Sequence, residues 1–162
     1  MKILVISDTH GNLTYVREVL RQEGPFDMIF HLGDVSHDED ELRDLAGERC
    51  TVSFVRGNCD FFSREPETRD FKLGKHKIHM EHGIYLPDSL QSISYKATDL
   101  GADYVFFGHT HSPLLTTMGG VTICNPGSIS KPRQADGLHT YVIMNVDKDG
   151  EITLSPRHLQ DF

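Results

Sequence analysis

Five short apolar runs in this chain end in the same way, and that pattern constrains the fold more than any other feature. Residues 2–7 (KILVIS) lead into Asp8-Thr9-His10, residues 28–32 (MIFHL) into Gly33-Asp34, and residues 52–55 into Gly57-Asn58-Cys59-Asp60. Residues 77–80 run on to His82-Gly83, and residues 104–107 to Gly108-His109-Thr110-His111. Runs this short and rich in β-branched and aromatic side chains are buried strands rather than helices. Between the first three, Leu13, Val16 and Leu20 recur at helical spacing before Gly24-Pro25, and residues 38–45 form an acidic amphipathic helix with Leu42 and Leu45 on its apolar side. Strands separated by helices predict right-handed βαβ units and a mainly parallel sheet.

After a polar loop at residues 57–70 the pattern changes. Residues 71–73 and 77–80 flank Gly74-Lys75 as a hairpin, and Leu90, Ile93, Ala97 and Leu100 space another helix closed by Gly101. Residues 114–118 and 121–124 pair across Gly119-Gly120, and residues 141–146 and 151–154 across residues 147–150. The expected architecture is one α/β domain over residues 1–162, a two-sheet β-sandwich of mixed sheets flanked by helices.

In open α/β sheets, ligand sites form outside the carboxyl ends of the strands. Separate strands therefore deliver Asp8, His10, Asp34, Asn58, His82, His109 and His111 to one edge. Asp, His and Asn without thiolate suit a hard or borderline divalent ion: Mn²⁺, Fe²⁺, Ni²⁺ or Zn²⁺. In an extended segment residues i and i+2 project to the same side, so Asp8 with His10, and His109 with His111, can each face one site. Seven candidate ligands exceed one tetrahedral ion and suit a pair about 3.5–4 Å apart, with one carboxylate bridging. Glycines at 33, 57, 83 and 108 let the backbone turn sharply and come close.

Composition narrows the chemistry. Against 24 acidic residues stand 16 basic ones, a formal charge of −8 over 162 residues, which argues against bulk nucleic-acid binding. It does not oppose a phosphate ester held at a metal, because the metal supplies the positive charge. No apolar stretch approaches the ~20 residues of a membrane span, and residues 1–6 do not read as a signal peptide. Three cysteines without C-x-x-C spacing suit a reducing, cytoplasmic setting.

D-x-H (Asp8, His10), G-D (Asp34), G-N-x-D (Asn58, Asp60), H-G (His82) and G-H-x-H (His109, His111), in this order, resemble the calcineurin-like metallophosphoesterases. Asn125-Pro126-Gly127-Ser128 and Lys131-Pro132-Arg133 extend the resemblance to the small single-domain YfcE-type phosphodiesterase branch. The resemblance implies a four-layer α/β/β/α fold and a dinuclear centre: Asp8, His10 and His111 on one ion, Asn58, His82 and His109 on the other, Asp34 on both. It also implies hydrolysis of a small phosphate ester by a hydroxide shared between the ions, with Asp34, Asn58, Cys59 and His82 as catalytic residues and Mn²⁺ as the first choice of metal. Asn12 and Cys59 are candidate substrate contacts.

The phosphatase branch of this superfamily carries His where this chain has Cys59, and a thiol of pKa about 8.5 is a poor general acid near neutrality. Phosphodiesters and esters with good leaving groups are the expected substrates. Asp60 is expected to orient a metal-ligating His, Cys59 to fill a small buried space, and Phe61 and Phe62 either to wall a substrate pocket or to pack in the core. His31, His37, His76, His79, His139 and His158 read as surface or satisfied core histidines. Substrate choice falls to loops at residues 57–70, 83–89 and 125–136. The alternative on the same fold is a non-catalytic protein-interaction scaffold of the Vps29 kind, and a homo-oligomer remains open.

Overall fold

The computed structural model describes residues 1–84, 86 and 89–159. In chain order its elements are β1 (Lys2–Ile6), α1 (Thr14–Glu23), β2 (Met28–His31), α2 (Glu39–Ala46), β3 (Thr51–Phe54), β4 (Thr68–Leu73) and β5 (His76–Glu81). There follow α3 (Leu90–Leu100), β6 (Tyr104–Phe106), β7 (Pro113–Met118), β8 (Val121–Pro126), β9 (Thr140–Val146) and β10 (Ile152–His158). Two five-stranded sheets result, ordered β10-β9-β1-β2-β3 and β4-β5-β6-β8-β7. β1, β2 and β3 run parallel, as do β5, β6 and β8, while β9, β10, β4 and β7 pair antiparallel at the flanks. Both sheets are mixed, as expected.

The apolar runs read as buried strands because both of their faces are covered. Along β1, Ile3 and Val5 point between the sheets to meet Ile78, Met80 and Phe106. Leu4 and Ile6 point the other way, against Val16 and Val19 of α1 and Leu42 of α2. On the far side, Ile93 and Ala97 of α3 pack on Val105 and Ile123. The layers are α1 and α2, then two sheets, then α3.

Helix ends follow local chemistry. Ser89 caps α3 by accepting the Ser92 N–H, and Gly101 closes it in a left-handed conformation. Residues 147–150 form the expected hairpin turn, with Asp147 Oδ1 accepting the N–H groups of Asp149 and Glu151. One expectation is corrected: the loop after β3 is shorter than residues 57–70, because β4 starts at Thr68 and pairs there with Glu81. Alternating exposure along β4, with its polar residues on the open face, disguises it as loop. No helix among the described residues is long and apolar enough to cross a membrane.

Candidate metal centre

Asp8 follows β1, Asp34 follows β2, Asn58 follows β3, His82 follows β5 and His109 follows β6, so both sheets feed one rim through their carboxyl ends. The loops there are fastened to one another by backbone hydrogen bonds. Asp8, His10 and Gly11 donate to the carbonyls of Gly33, Asp34 and Val35 at 3.0, 2.9 and 3.0 Å, and Gly108 donates to His82 at 2.9 Å.

Asp8, His10, Asp34, His109 and His111 all have left-handed φ, between 47° and 64°. The expected extended i, i+2 arrangement is therefore corrected: the pairs do face one site, but through left-handed turns. For a non-glycine residue such a conformation costs of order 1–3 kcal/mol, and it persists only where neighbours over-determine it. Here the cross-loop ladder does so. The glycines divide by role. Gly33 and Gly83 have positive φ, at 99° and 112°, whereas Gly57 and Gly108 are needed for space, since a Cβ there would overlap Asp34 Oδ1 and Ser7 Oγ respectively.

Three overlapping groups of donors emerge. Asp8 Oδ1 lies 3.3 Å from His111 Nε2 and 3.9 Å from His10 Nε2. Asp34 Oδ2 lies 3.4 Å from His82 Nε2 and 3.6 Å from His10 Nε2, between the groups. Asn58 Oδ1 is 3.0 Å from His82 Nε2, and the rings of His82 and His109 are 5.1 Å apart. Asp8, His10 and His111 thus form one set that could hold an ion, Asp8, Asp34 and His82 a second, and His10, Asp34 and Cys59 a third that overlaps both. His109 stands outside these tight sets, and Asn58 joins through its contact with His82.

The donor chemistry fits divalent cations. Asp8 Oδ1 is buried without a hydrogen-bond donor, a costly state for a carboxylate oxygen. Its neighbour His111 uses Nδ1 toward the Lys131 carbonyl at 2.6 Å, and His82 uses Nδ1 toward the Leu32 carbonyl at 2.7 Å. In the neutral rings this leaves each Nε2 as a lone pair facing carboxylate oxygen. The Nε2 atoms of His10 and His111 also face each other, at 3.2 Å. Positive charge, as a ring proton or a metal ion, reconciles these nitrogens with the carboxylate oxygens beside them.

Electrostatics agree. For Asp34, burial alone would raise the carboxyl pKa, but His82 and the Cys59 N–H outweigh it and hold the group well below the usual carboxylate range. Burial lowers His10 and His109 against the pull of Asp8 and Asp34, keeping those rings neutral. Burial would lower His82, but Asp34 and Asp8 outweigh it and raise it, and Asp8 raises His111, so the carboxylates draw positive charge to both rings.

Three expectations about the surroundings change. Asp60 does not orient a histidine: its carboxylate accepts the backbone N–H groups of Asp34, Ser36 and Gly57 at 2.7, 2.8 and 2.8 Å, tying two loops together. Cys59 is not a buried filler. It is half-buried, its thiol lies within 4.8 Å of donor atoms of His10 and Asp34, and its N–H donates to Asp34 Oδ1 at 2.8 Å. Phe61 and Phe62 are 80% and 81% exposed, so they are not core. Asn12 Oδ1 accepts the Thr14 N–H at 3.1 Å, which starts α1. Of the selectivity loops, Tyr85, Pro87 and Asp88 lie outside the described residues.

Supporting groups surround these donors, and sequence reasoning reached all of them but the backbone carbonyls. His31 is a satisfied core histidine, bonded to Thr9 Oγ1 and to the Gly33 N–H at 3.0 and 3.2 Å, and burial lowers its pKa to about 4. Asn125 Nδ2 donates to the Gly108 carbonyl at 2.8 Å, and Ser128 Oγ to the Asp8 carbonyl at 2.8 Å. They strap the His109 turn to the Asp8 turn; the Asn-Pro-Gly-Ser motif was their signal. The Leu32 and Lys131 carbonyls left none, because backbone acceptors carry no residue code.

The sequence profile of the calcineurin-like phosphoesterase superfamily domain matches residues 1–149. The chain is 34% identical over 152 residues to "Probable metallophosphoesterase YsnB" of Bacillus subtilis, covering 92% of this chain and 86% of that protein. It is 28% identical over 160 residues to phosphodiesterase YfcE of Escherichia coli, covering 82% of each. Among solved structures, a predicted phosphoesterase of Streptococcus pneumoniae superposes with a TM-score of 0.75 at 30% identity, covering 98% of this chain and 97% of that one. Vps29 of Entamoeba histolytica, solved with zinc, shares the fold with a TM-score of 0.77 at 19% identity, covering 98% and 99%. Motif order, sheet topology and profile therefore agree that the chain belongs to the calcineurin-like phosphoesterase superfamily.

Proposed function

We propose that the chain is a metal-dependent phosphodiesterase acting on small phosphate esters, with Asp8, His10 and His111 holding one divalent ion and Asn58, His82 and His109 the other. Asp34 serves both. The observation that carries this reading is the position of Asp34 Oδ2, within 3.6 Å of ring nitrogens from each set. When bound, the ions supply Lewis acidity, acidifying a water for attack on phosphorus and neutralising phosphate oxygens. Oxygen and imidazole donors without thiolate ligation favour Mn²⁺, with Ni²⁺, Fe²⁺ and Zn²⁺ also compatible.

The chain's own groups do the rest. The Leu32 and Lys131 carbonyls fix the tautomers of His82 and His111, so that Nε2 is the ligating atom. The Cys59 thiol is pushed up, first by burial and then by Asp34, Asp60 and Asp8, so it stays protonated at neutral pH. It transfers that proton reluctantly. A leaving group that needs no proton is favoured, which means diesters and aryl esters over alkyl monoesters. Three cysteines without a disulfide suit work in a reducing cytoplasm.

The test is reconstitution of metal-free protein with Mn²⁺ and assay on bis(p-nitrophenyl) phosphate. Turnover that EDTA abolishes is expected. Stoichiometric metal uptake without turnover would favour the scaffold reading, and no uptake would remove the metal centre altogether.

A further inference from the structure

Two hollows meet at Arg56, Gly57 and Asn58. One, of about 270 Å³, also takes in Thr68, His82 and Ile84; the other, of about 220 Å³, takes in Asp60 and Phe61. Both therefore open beside a proposed metal ligand.

Phe61 walls the second hollow, and Phe62 beside it turns into a separate one with His37 and Ser63. Phe61 and Phe62 follow each other directly in sequence and are 80% and 81% exposed. Scattered exposed apolar residues are ordinary on a protein surface, but consecutive exposed rings beside a polar site are what a ligand-binding rim presents. Their loop is held in place. The Asp60 carboxylate accepts three backbone N–H groups, from Asp34, Ser36 and Gly57, and the Ser63 N–H closes a turn on the Asp60 carbonyl at 3.1 Å. Phe62 leans on His37, ring centroids 5.6 Å apart, while Phe61 faces the hollow shared with Asn58. Arg56 stands at the junction, its guanidinium 2.6 Å from Glu67.

We infer that Phe61 is a specificity-determining residue that stacks a planar aromatic arm of the substrate, an aryl group or a nucleobase, in the hollow beside Asn58. This rests on the phosphoesterase reading above and goes beyond it by naming the chemistry of one ester arm. A Phe ring offers a flat π-face at little entropic cost, and stacking of a base on an aromatic side chain is worth roughly tenfold or more in affinity.

The test measures binding rather than turnover. Mn²⁺-loaded protein is titrated by calorimetry with methylphosphonate, phenylphosphonate and thymidine 5′-monophosphate, whose arms are aliphatic, aryl and nucleobase. The wild type is expected to bind one or both aromatic ligands about tenfold more tightly than methylphosphonate, and the better of the two identifies the source of the ring. Phe61→Ala should bring that preference down by about tenfold, and Phe61→Tyr should restore it. Tyr95→Ala, on the exposed face of α3, controls for non-specific ring contacts and should leave the preference alone. Equal binding of the three ligands, no binding of any, or an undiminished preference in Phe61→Ala would each overturn the assignment. A clear aromatic preference in a protein that hydrolyses no diester would keep this inference and sink the proposed activity instead.

Discussion

His10 and His111 point their Nε2 atoms at one another across 3.2 Å, and the His111 ring already spends its Nδ1–H on the Lys131 carbonyl. Two ring nitrogens in that relation repel unless a proton or a metal ion lies between them. Divalent metal should therefore stabilise the fold measurably. At a hundred times its dissociation constant a ligand adds about 2.7 kcal/mol. In a chain of this size that raises the melting temperature by about 5–10 °C. Calorimetric scans in EDTA and in excess Mn²⁺ would check it; coincident transitions would contradict the two-cation reading.

Asp34, proposed above to serve both ions, has Oδ2 3.6 Å from His10 Nε2 and 3.4 Å from His82 Nε2. Asp34→Asn keeps the side-chain volume and an oxygen able to accept the Cys59 N–H now held at 2.8 Å, so the fold should survive. The lost charge weakens both ions together. Elemental analysis should find less than the full metal complement, and kcat should fall at least about a hundredfold, the scale seen when one electrostatic stabiliser is removed. Full metal content with full turnover would show that Asp34 is not shared.

Much of this was readable from sequence because the constraint is local. A run such as Ile3–Ile6, covered on both faces, must be apolar throughout, and a strand's end must present whatever follows it at the rim. The identities of Asp8, His82 and His109 thus announce the site. What stayed hidden is conformation and backbone. Nothing in the letters of Asp8 or His10 says that their φ is positive, because the cross-loop ladder to Gly33, Asp34 and Val35 imposes it. Asp60 misled for the same reason: a carboxylate beside a histidine motif suggests a histidine partner, and its true partners are amides of loops brought near only by folding.

The Cys59 thiol, within 4.8 Å of donor atoms of His10 and Asp34 and proposed above to face the leaving group, is pushed up by burial and by Asp34 and so is slow to release a proton. Cys59→His substitutes a ring whose unperturbed pKa, about 6.5, matches neutral operation. The ratio of kcat/KM for an alkyl monoester to that for bis(p-nitrophenyl) phosphate should rise by about tenfold or more. An unchanged ratio would remove the leaving-group argument while leaving the metal centre intact.

Away from the rim, His79 supplies a pH-dependent contribution of determinate sign. Its side chain is 4% exposed, with Nδ1 3.0 Å from Asp70 Oδ1 and Nε2 3.0 Å from Glu81 Oε1, which Lys96 also contacts at 2.6 Å. Burial alone would lower its pKa, but the two carboxylates prevail and raise it. A group whose folded pKa is raised contributes stability that is complete below its unfolded value, about 6.5, and is lost as pH climbs through the higher folded value. His79→Gln removes the charge and retains an amide able to donate to one of the carboxylates. With both proteins held in EDTA, titrating groups remote from His79 are common to the pair and their contributions cancel in the difference. The wild type should exceed the variant by about 1–3 kcal/mol near pH 6, the range for hydrogen bonds to charged groups. That margin should narrow steadily toward pH 9 in urea unfolding curves. A margin that widened with pH would mean that His79 is buried as the neutral ring.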